Sequence, residues 1–282
     1  MAVTTLAALA TLAPGSRSTA AAAPERPLLG ILYGQQRTVA RPGAAIQNRF
    51  PTGTLVRLDP RTLRPRAGAR VNLPAGSLGH ALSPDGARLA TATSTGARLR
   101  LVELSSMRSL GDIVVSAAPH TNVRALAWLR SDRLLALVQR MGGPYKRQVV
   151  ARTLSVIDPA ARRVIARHAL QKTAVSQTRV AGERLVLVQA DSNQRSPRIR
   201  LVVADASGAV RSREFAVGPA HGPGMRAGFG LALTPSGQRA FLAVSFGRMI
   251  EIDLDTLVAR ERRPRLASRA PQLLPPVWSL TP

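Results

Sequence analysis

The sequence predicts an all-β chain built from a repeated four-stranded antiparallel unit, and three observations predict it. The 282 residues are punctuated along their length by 21 prolines and 22 glycines, which suits many short elements joined by turns better than a few long helices. A box of apolar strand, polar turn and apolar strand recurs as LSPDGARLATA at Leu82, LRSDRLLALV at Leu129, VAGERLVLVQ at Val180 and LTPSGQRAFLAV at Leu233. A second marker, an acidic residue closing a strand ahead of a tight turn, occurs at Asp59, Glu103, Asp158, Asp205 and Asp253. A repeat period of this size implies stacked supersecondary units.

Each strand of the unit follows from its residues. A first strand such as HAL, beginning at His80, leads into the SPDG-type turn, where Asp85 and Gly86 are explained by turn geometry alone. An apolar second strand follows, then a longer third strand ending at the acidic residue, and a last strand such as RRVIARHAL. An acidic side chain at the end of the third strand can accept bonds from the next backbone N–H groups and fix the hairpin. Such units bury their two faces only against their neighbours, as the blades of a β-propeller do.

With these boxes the chain resembles the bacterial extracytoplasmic β-propellers of the YVTN and WD40-like repeat type, whose blades carry an SPDG…V.D pattern. The resemblance runs over roughly residues 25 to 282 and rests on motifs generic to blades. It implies an all-β β-propeller of four-stranded antiparallel blades with about five blades visible, or a truncated ring of six to eight. The Trp-Asp dipeptide of true WD40 repeats is absent.

Residues 1–24 read as a signal peptide or a disordered leader. The apolar run from Ala2 to Ala13 and the small residues Ala20 to Ala23 resemble an h-region and its cleavage site, without a positive n-region before them. This pattern is the basis for expecting an extracytoplasmic protein. Residues 25–282 form the propeller domain, with units at 25–75, 76–118, 119–172, 173–222 and 223–270. The stretch 271–282 is either a closing strand or the start of another unit, because Leu280, Thr281 and Pro282 match Leu233, Thr234 and Pro235 one period later. No run of 18 apolar residues follows the leader, so no membrane span is expected.

Composition narrows the chemistry. Cysteine is absent, which excludes disulfides, thiolate catalysis and Cys-ligated zinc. The formal charge of +25 favours salt-dependent attraction to anionic polymers. Of the 40 basic residues only Lys146 and Lys172 are lysine, a skew typical of GC-rich coding sequence. The 3% aromatic content lacks the stacking platforms of single-strand nucleic-acid binders. The densest basic stretch, ARERRPRLASR from Ala259, reads as solvated outer-strand charge.

Eight of the 15 acidic residues fall in the recurring turns, and the remaining seven are too scattered for a paired-carboxylate acid and base. Glu251, Asp253 and Asp255 alternate on one face, which reads first as a solvated strand end and only as the lesser alternative as a cation site. The four histidines show no local metal-ligand spacing. His80 stands on an innermost strand, where Leu126 and Leu231 occupy the aligned positions, and His221 lies in a loop leading into another such strand. These two are the ligand-binding candidates, against the plainer reading of a packed histidine and a loop histidine. No nucleophile elbow or Walker A sequence is present, so no catalytic residue, metal or cofactor is assigned.

The expectation is a non-catalytic extracytoplasmic scaffold that binds a protein or polysaccharide through its loops and central funnel. The alternatives are a propeller enzyme, lactonase-like or quinoprotein-like, whose site is assembled from several blades, and an electrostatic binder of anionic polymer or DNA.

Overall fold

A computed structural model describes residues 28–33, 37–39, 47–49, 53–68, 70–73, 79–93, 96–143, 148–190, 198–216, 229–244 and 248–262. Every regular element among them is a strand, and no helix is long and apolar enough to cross a membrane. The chain divides into two units, one reaching to Lys172 with the hairpin Ala204–Val210, the other formed by Thr173–Val203 and the residues from Arg211 on.

In the first unit, β1 (Leu28–Tyr33), β2 (Arg37–Val39), β3 (Gln47–Arg49), β4 (Gly53–Leu58) and β5 (Val71–Leu73) open the chain. The first sheet has the order β1-β4-β5, and β2 and β3 pair as a separate hairpin inserted between β1 and β4. This insertion has no counterpart among the described residues of the other sheets. The second sheet runs in chain order through β6 (His80–Leu82), β7 (Arg88–Ala92), β8 (Ala97–Glu103) and β9 (Arg108–Ser116). The third does the same with β10 (Thr121–Arg130), β11 (Arg133–Gly142), β12 (Gln148–Asp158) and β13 (Arg163–Leu170).

The second unit repeats the pattern twice. One sheet orders β14 (Ala174–Ala181), β15 (Arg184–Ala190), β16 (Arg198–Asp205) and β17 (Val210–Ala216). The other orders β18 (Phe229–Leu233), β19 (Arg239–Val244), β20 (Arg248–Asp253) and β21 (Ala259–Arg262). Four-stranded antiparallel sheets repeated in chain order are the blades of a β-propeller, and the fold is all-β.

Burial explains why second and third strands are apolar on both faces whereas fourth strands alternate. Leu89 and Val102 on one face of the second sheet pack with Ile31, Leu55, Val71 and Leu73. Ala90, Leu99, Leu101 and Ile113 on its other face pack with Val123, Trp128, Leu134 and Ala136. The Trp128 indole N–H donates to the Ala81 carbonyl at 2.9 Å, so the large ring is buried without stranding its polar atom. In β13, RVIARHAL alternates exposed and half-buried positions because only one side of this outer strand meets a neighbour. In the second unit Val186, Val188, Ile199 and Leu201 pack with Leu231, Leu242, Ile250 and Ile252.

Arginine adds a second kind of contact between neighbouring sheets. Arg57 Nη2 donates to the carbonyls of Leu104 and Ser105 at 2.8 and 2.7 Å. Arg162 donates to Leu110 at 3.0 Å, and in the second unit Arg211 donates to Leu254 at 3.1 Å and Arg213 to Leu257 at 3.1 Å. A guanidinium carries five donors on a long stem, so it can satisfy turn carbonyls of an adjacent sheet that no strand reaches. Part of the arginine excess therefore stitches the sheets together.

Candidate functional site

The recurring acids are turn-builders in this structure. Asp59 accepts from the backbone N–H groups of Arg61 and Thr62, both at 2.9 Å. Asp158 accepts from those of Ala160 and Ala161, both at 2.9 Å, and Asp253 from those of Asp255 and Thr256 at 3.0 and 2.8 Å. Asp205 accepts from Ser207 N at 2.9 Å and Ala209 N at 3.2 Å. These backbone bonds, above all the one from Thr62, Ala161 or Thr256, hold the Asp59, Asp158 and Asp253 carboxyls below the ordinary aspartate range. Glu103 differs: its longer side chain accepts the Ser106 hydroxyl at 2.5 Å instead of backbone N–H groups. The turn still closes, because Met107 takes φ +52°, matching Leu63, Arg162 and Leu257 four residues after their own acids.

Asp85 accepts the Ser83 hydroxyl at 2.5 Å and the Ala87 N–H at 2.9 Å, and the first of these contributes most to lowering its pKa. Gly86 supplies φ +71°. Both residues are accounted for by the turn.

The face shared by Glu251, Asp253 and Asp255 is not a cation site. Glu251 accepts from Arg262 at 2.7 Å and Arg239 at 2.9 Å, and the Arg262 bond is the leading cause of its lowered pKa. Asp253 holds its turn and Asp255 pairs with Arg184. Among the described residues no group of three His, Asp or Glu side chains could hold a metal ion. Strand alternation fixes a face but does not reveal the arginines that occupy it.

His80 is half-buried on β6, and burial lowers its pKa, favouring the neutral imidazole. It begins a row straight across the second sheet: His80 opposite Thr91, Thr91 opposite Arg100, Arg100 opposite Asp112. Arg100 grips Asp112 through Nε at 2.8 Å and Nη2 at 3.2 Å, which raises the arginine pKa. The equivalent row of the third sheet is Leu126, Ala136, Ser155 and Arg167. In the last sheet it is Leu231, Leu242, Ile250 and Glu261. This row is where the blades differ chemically. His221 lies outside the described residues. His120 is exposed with φ +56° in the turn before β10, and its carbonyl accepts the Met141 N–H at 2.9 Å.

The third sheet's version of the row contributes to a cleft of about 220 Å³ between the second and third sheets. Val115 and Ser116 of β9 form one side, and Arg140, Thr153, Ser155 and Arg167 of β11, β12 and β13 belong to the other. Arg167 is anchored by an Nη2 bond to the Val115 carbonyl at 3.0 Å, leaving four of its five donors. Arg140 is exposed and makes no ion pair among the described residues. Ser116 and Thr121 shape the rim through bonds with the Ala118 N–H and carbonyl, at 3.2 and 2.7 Å. No acidic residue and no histidine lines the cleft. His80 does not belong to it.

Sequence reasoning missed this site because its residues come from five strands of two sheets and form no local motif. One signal was present: TLSVID places a hydroxyl at Ser155, where the third strand of the last sheet has Ile250. A side chain that breaks the repeat at such a position has a reason other than packing.

No family model matches the chain, and no curated protein matches it. Among solved structures it is similar to the acylaminoacyl peptidase of Pyrococcus horikoshii, at 14% identity and TM-score 0.49, over 84% of this chain and 38% of that one. The dihydro-heme d1 dehydrogenase NirN, solved in complex with DHE, is 15% identical with TM-score 0.47 over 84% of this chain and 54% of that one. The hydrazine synthase of Kuenenia stuttgartiensis is 13% identical with TM-score 0.37 over 72% and 71%. Similarity at this level does not bear on ligand or activity.

Proposed function

We propose that the protein is a non-catalytic binding scaffold that takes an anionic ligand in the cleft between its second and third sheets. One observation carries this reading: two guanidinium groups and the open hydroxyls of Thr153 and Ser155 share a small cleft with no carboxylate to neutralise them. Arginine stays protonated at any physiological pH, and aliphatic hydroxyls do not titrate there. Such a lining donates hydrogen bonds to an anion and offers no proton-transfer pair. The overall charge of +25 would draw an acidic protein or acidic polysaccharide toward it, and the signal-like sequence pattern of residues 1–24 supports placing this encounter outside the cytoplasm.

The test is calorimetric titration with an acidic polysaccharide, an acidic protein and a neutral polysaccharide, using the wild type and Arg140→Gln. Saturable binding of one acidic partner, weakened about tenfold or more in the variant, is expected. Retention that falls with salt but ignores the variant would reduce the interaction to net charge, and would sink the proposal. So would turnover of esters, lactones or glycosides.

The His80 row favours a second reading, a propeller enzyme. A neutral imidazole on the first strand of a blade is suited to act as base or ligand. Its test is activity on those substrate classes that disappears in His80→Ala, with metal analysis of the purified protein alongside.

A further inference from the structure

We infer that the group seated in the cleft is a phosphate-type dianion, either inorganic phosphate or a phosphomonoester, with Arg167 as the fixed arm and Arg140 as the mobile arm. The inference rests on the reading of the cleft as an anion-binding site and goes on to name the anion.

Charge balance comes first. Arg140 and Arg167 are the only charged groups lining the cleft, from the second and fourth strands of the third sheet, and nothing from β9 offsets them. A carboxylate would neutralise one of the two, whereas a dianion neutralises both. Donor count points the same way. Arg167 keeps four N–H groups beyond its bond to Val115, Arg140 offers five, and Thr153 and Ser155 add hydroxyls. A carboxylate presents two oxygens, whereas a phosphomonoester presents three strong acceptor oxygens and carries nearly two charges at neutral pH.

Volume and burial assign the roles. A cleft of about 220 Å³ admits one compact anionic group at a time, whether free or carried on a larger acidic partner. Ser155 is 1% exposed and sits at the bottom, directly opposite Arg167 in the strand register, so the hydroxyl and the anchored guanidinium are already positioned. Arg140 stands at the exposed end, opposite Thr121. Exposed and without an ion pair among the described residues, it can swing onto an arriving anion. The apolar walls, Val115 and Val138, offer no competing acceptor side chain.

The experiment titrates the full chain at low salt with inorganic phosphate, glycerol phosphate and acetate, each at pH 5.5 and 7.5. Phosphate or glycerol phosphate should bind and acetate should not. Glycerol phosphate should tighten by roughly fourfold between the two pH values, which is the growth of the dianion fraction for a second pKa near 6. No lining group of the cleft titrates in that interval, so the change reports the ligand. Arg140→Gln should weaken binding by about tenfold or more, as loss of charge-assisted bonds does. Because Arg140 is exposed, that variant should keep the wild-type melting temperature. Thr153→Val should weaken binding to a smaller extent. Tighter binding of inorganic phosphate identifies the free ion as ligand, and tighter binding of the ester identifies a phosphorylated molecule. Arg140-dependent binding of acetate equal to that of phosphate, or affinity independent of pH, would overturn the dianion while leaving an anion site. Failure of all three anions to bind would remove the anion site itself.

Discussion

The second sheet, β6–β9, and the last sheet, β18–β21, are built on one frame and filled differently. Both open with the same turn: Gly86 N donates to Ser83 O at 2.8 Å and Gly237 N to Thr234 O at 2.9 Å. In both a side-chain oxygen then caps the start of the next strand, Ser83 Oγ for Arg88 N at 2.8 Å and Thr234 Oγ1 for Arg239 N at 3.1 Å. Across the middle, however, His80, Thr91, Arg100 and Asp112 stand where the last sheet has Leu231, Leu242, Ile250 and Glu261. The turns fix the blade and leave the row free to vary. Function has room in the row and little in the turns.

The turn glycines give the largest expected effect. Gly86 and Gly237 have φ +71° and +68°, a region that costs a residue with Cβ about 1–2 kcal/mol. A Cβ on Gly86 meets nothing within 4 Å, so Gly86→Ala should lose about that much. On Gly237 the added Cβ falls 2.3 Å from the Ala181 carbonyl oxygen, and one added on Gly182 would fall 2.8 Å from the Ser236 carbonyl oxygen on the other side. Gly237→Ala must push two backbones apart and should lose about 3–5 kcal/mol, at the upper end for single substitutions. Denaturant unfolding of the two variants checks the comparison. Equal losses would mean that the close approach of the two turns in the second unit is not maintained.

That contrast shows how far the sequence reaches. SPDG and TPSG look alike as strings, and turn chemistry accounts for Asp85, Gly86 and Gly237 together. Strand order within the four complete sheets and the acid-capped turns at Asp59, Asp158, Asp205 and Asp253 were legible because they depend on neighbours along the chain. The backbone contact at Gly237, the hairpin β2–β3 and the cleft were not, because each depends on residues that only folding brings together. Ser155 and Arg167 are 12 positions apart in sequence and directly opposite in the sheet. His80 was visible as an exception to the repeat, but its row partners, Arg100 and Asp112, needed the register.

The middle effect is a pH dependence specific to the second sheet. Burial lowers the His80 pKa in the folded state, so the folded protein resists protonating it. The stability from this group is fully present above the ordinary histidine pKa near 6.5 and declines as pH falls through the window below it. His80→Leu installs the residue that the last sheet has at Leu231 and removes that decline. Melting temperatures of wild type and variant between pH 8 and 5 should diverge only below about 6.5, with the wild type losing more. The capped aspartates, including Asp85, lose their contribution at lower pH in both proteins, since their folded pKa values lie below the ordinary range. A constant difference across the range would show that His80 is not the group being titrated.

The smallest effect concerns Thr91, and it bears most on what the polar row is for. The residue is fully buried, and its hydroxyl has no hydrogen-bond partner among the described residues. Valine has the same shape without the oxygen. A buried hydroxyl left unpaired is unfavourable, so Thr91→Val should raise stability by about 0.5–1 kcal/mol, a gain of a few degrees in melting temperature. The corresponding position in the last sheet is Leu242, which shows that the frame accepts an apolar residue there. If stability rises as expected, Thr91 is a polar residue that packing alone would not choose, kept beside His80 against the interests of the fold. A fall in stability would show that the hydroxyl has found a partner, and the row would then be a structural network with nothing left over for a ligand.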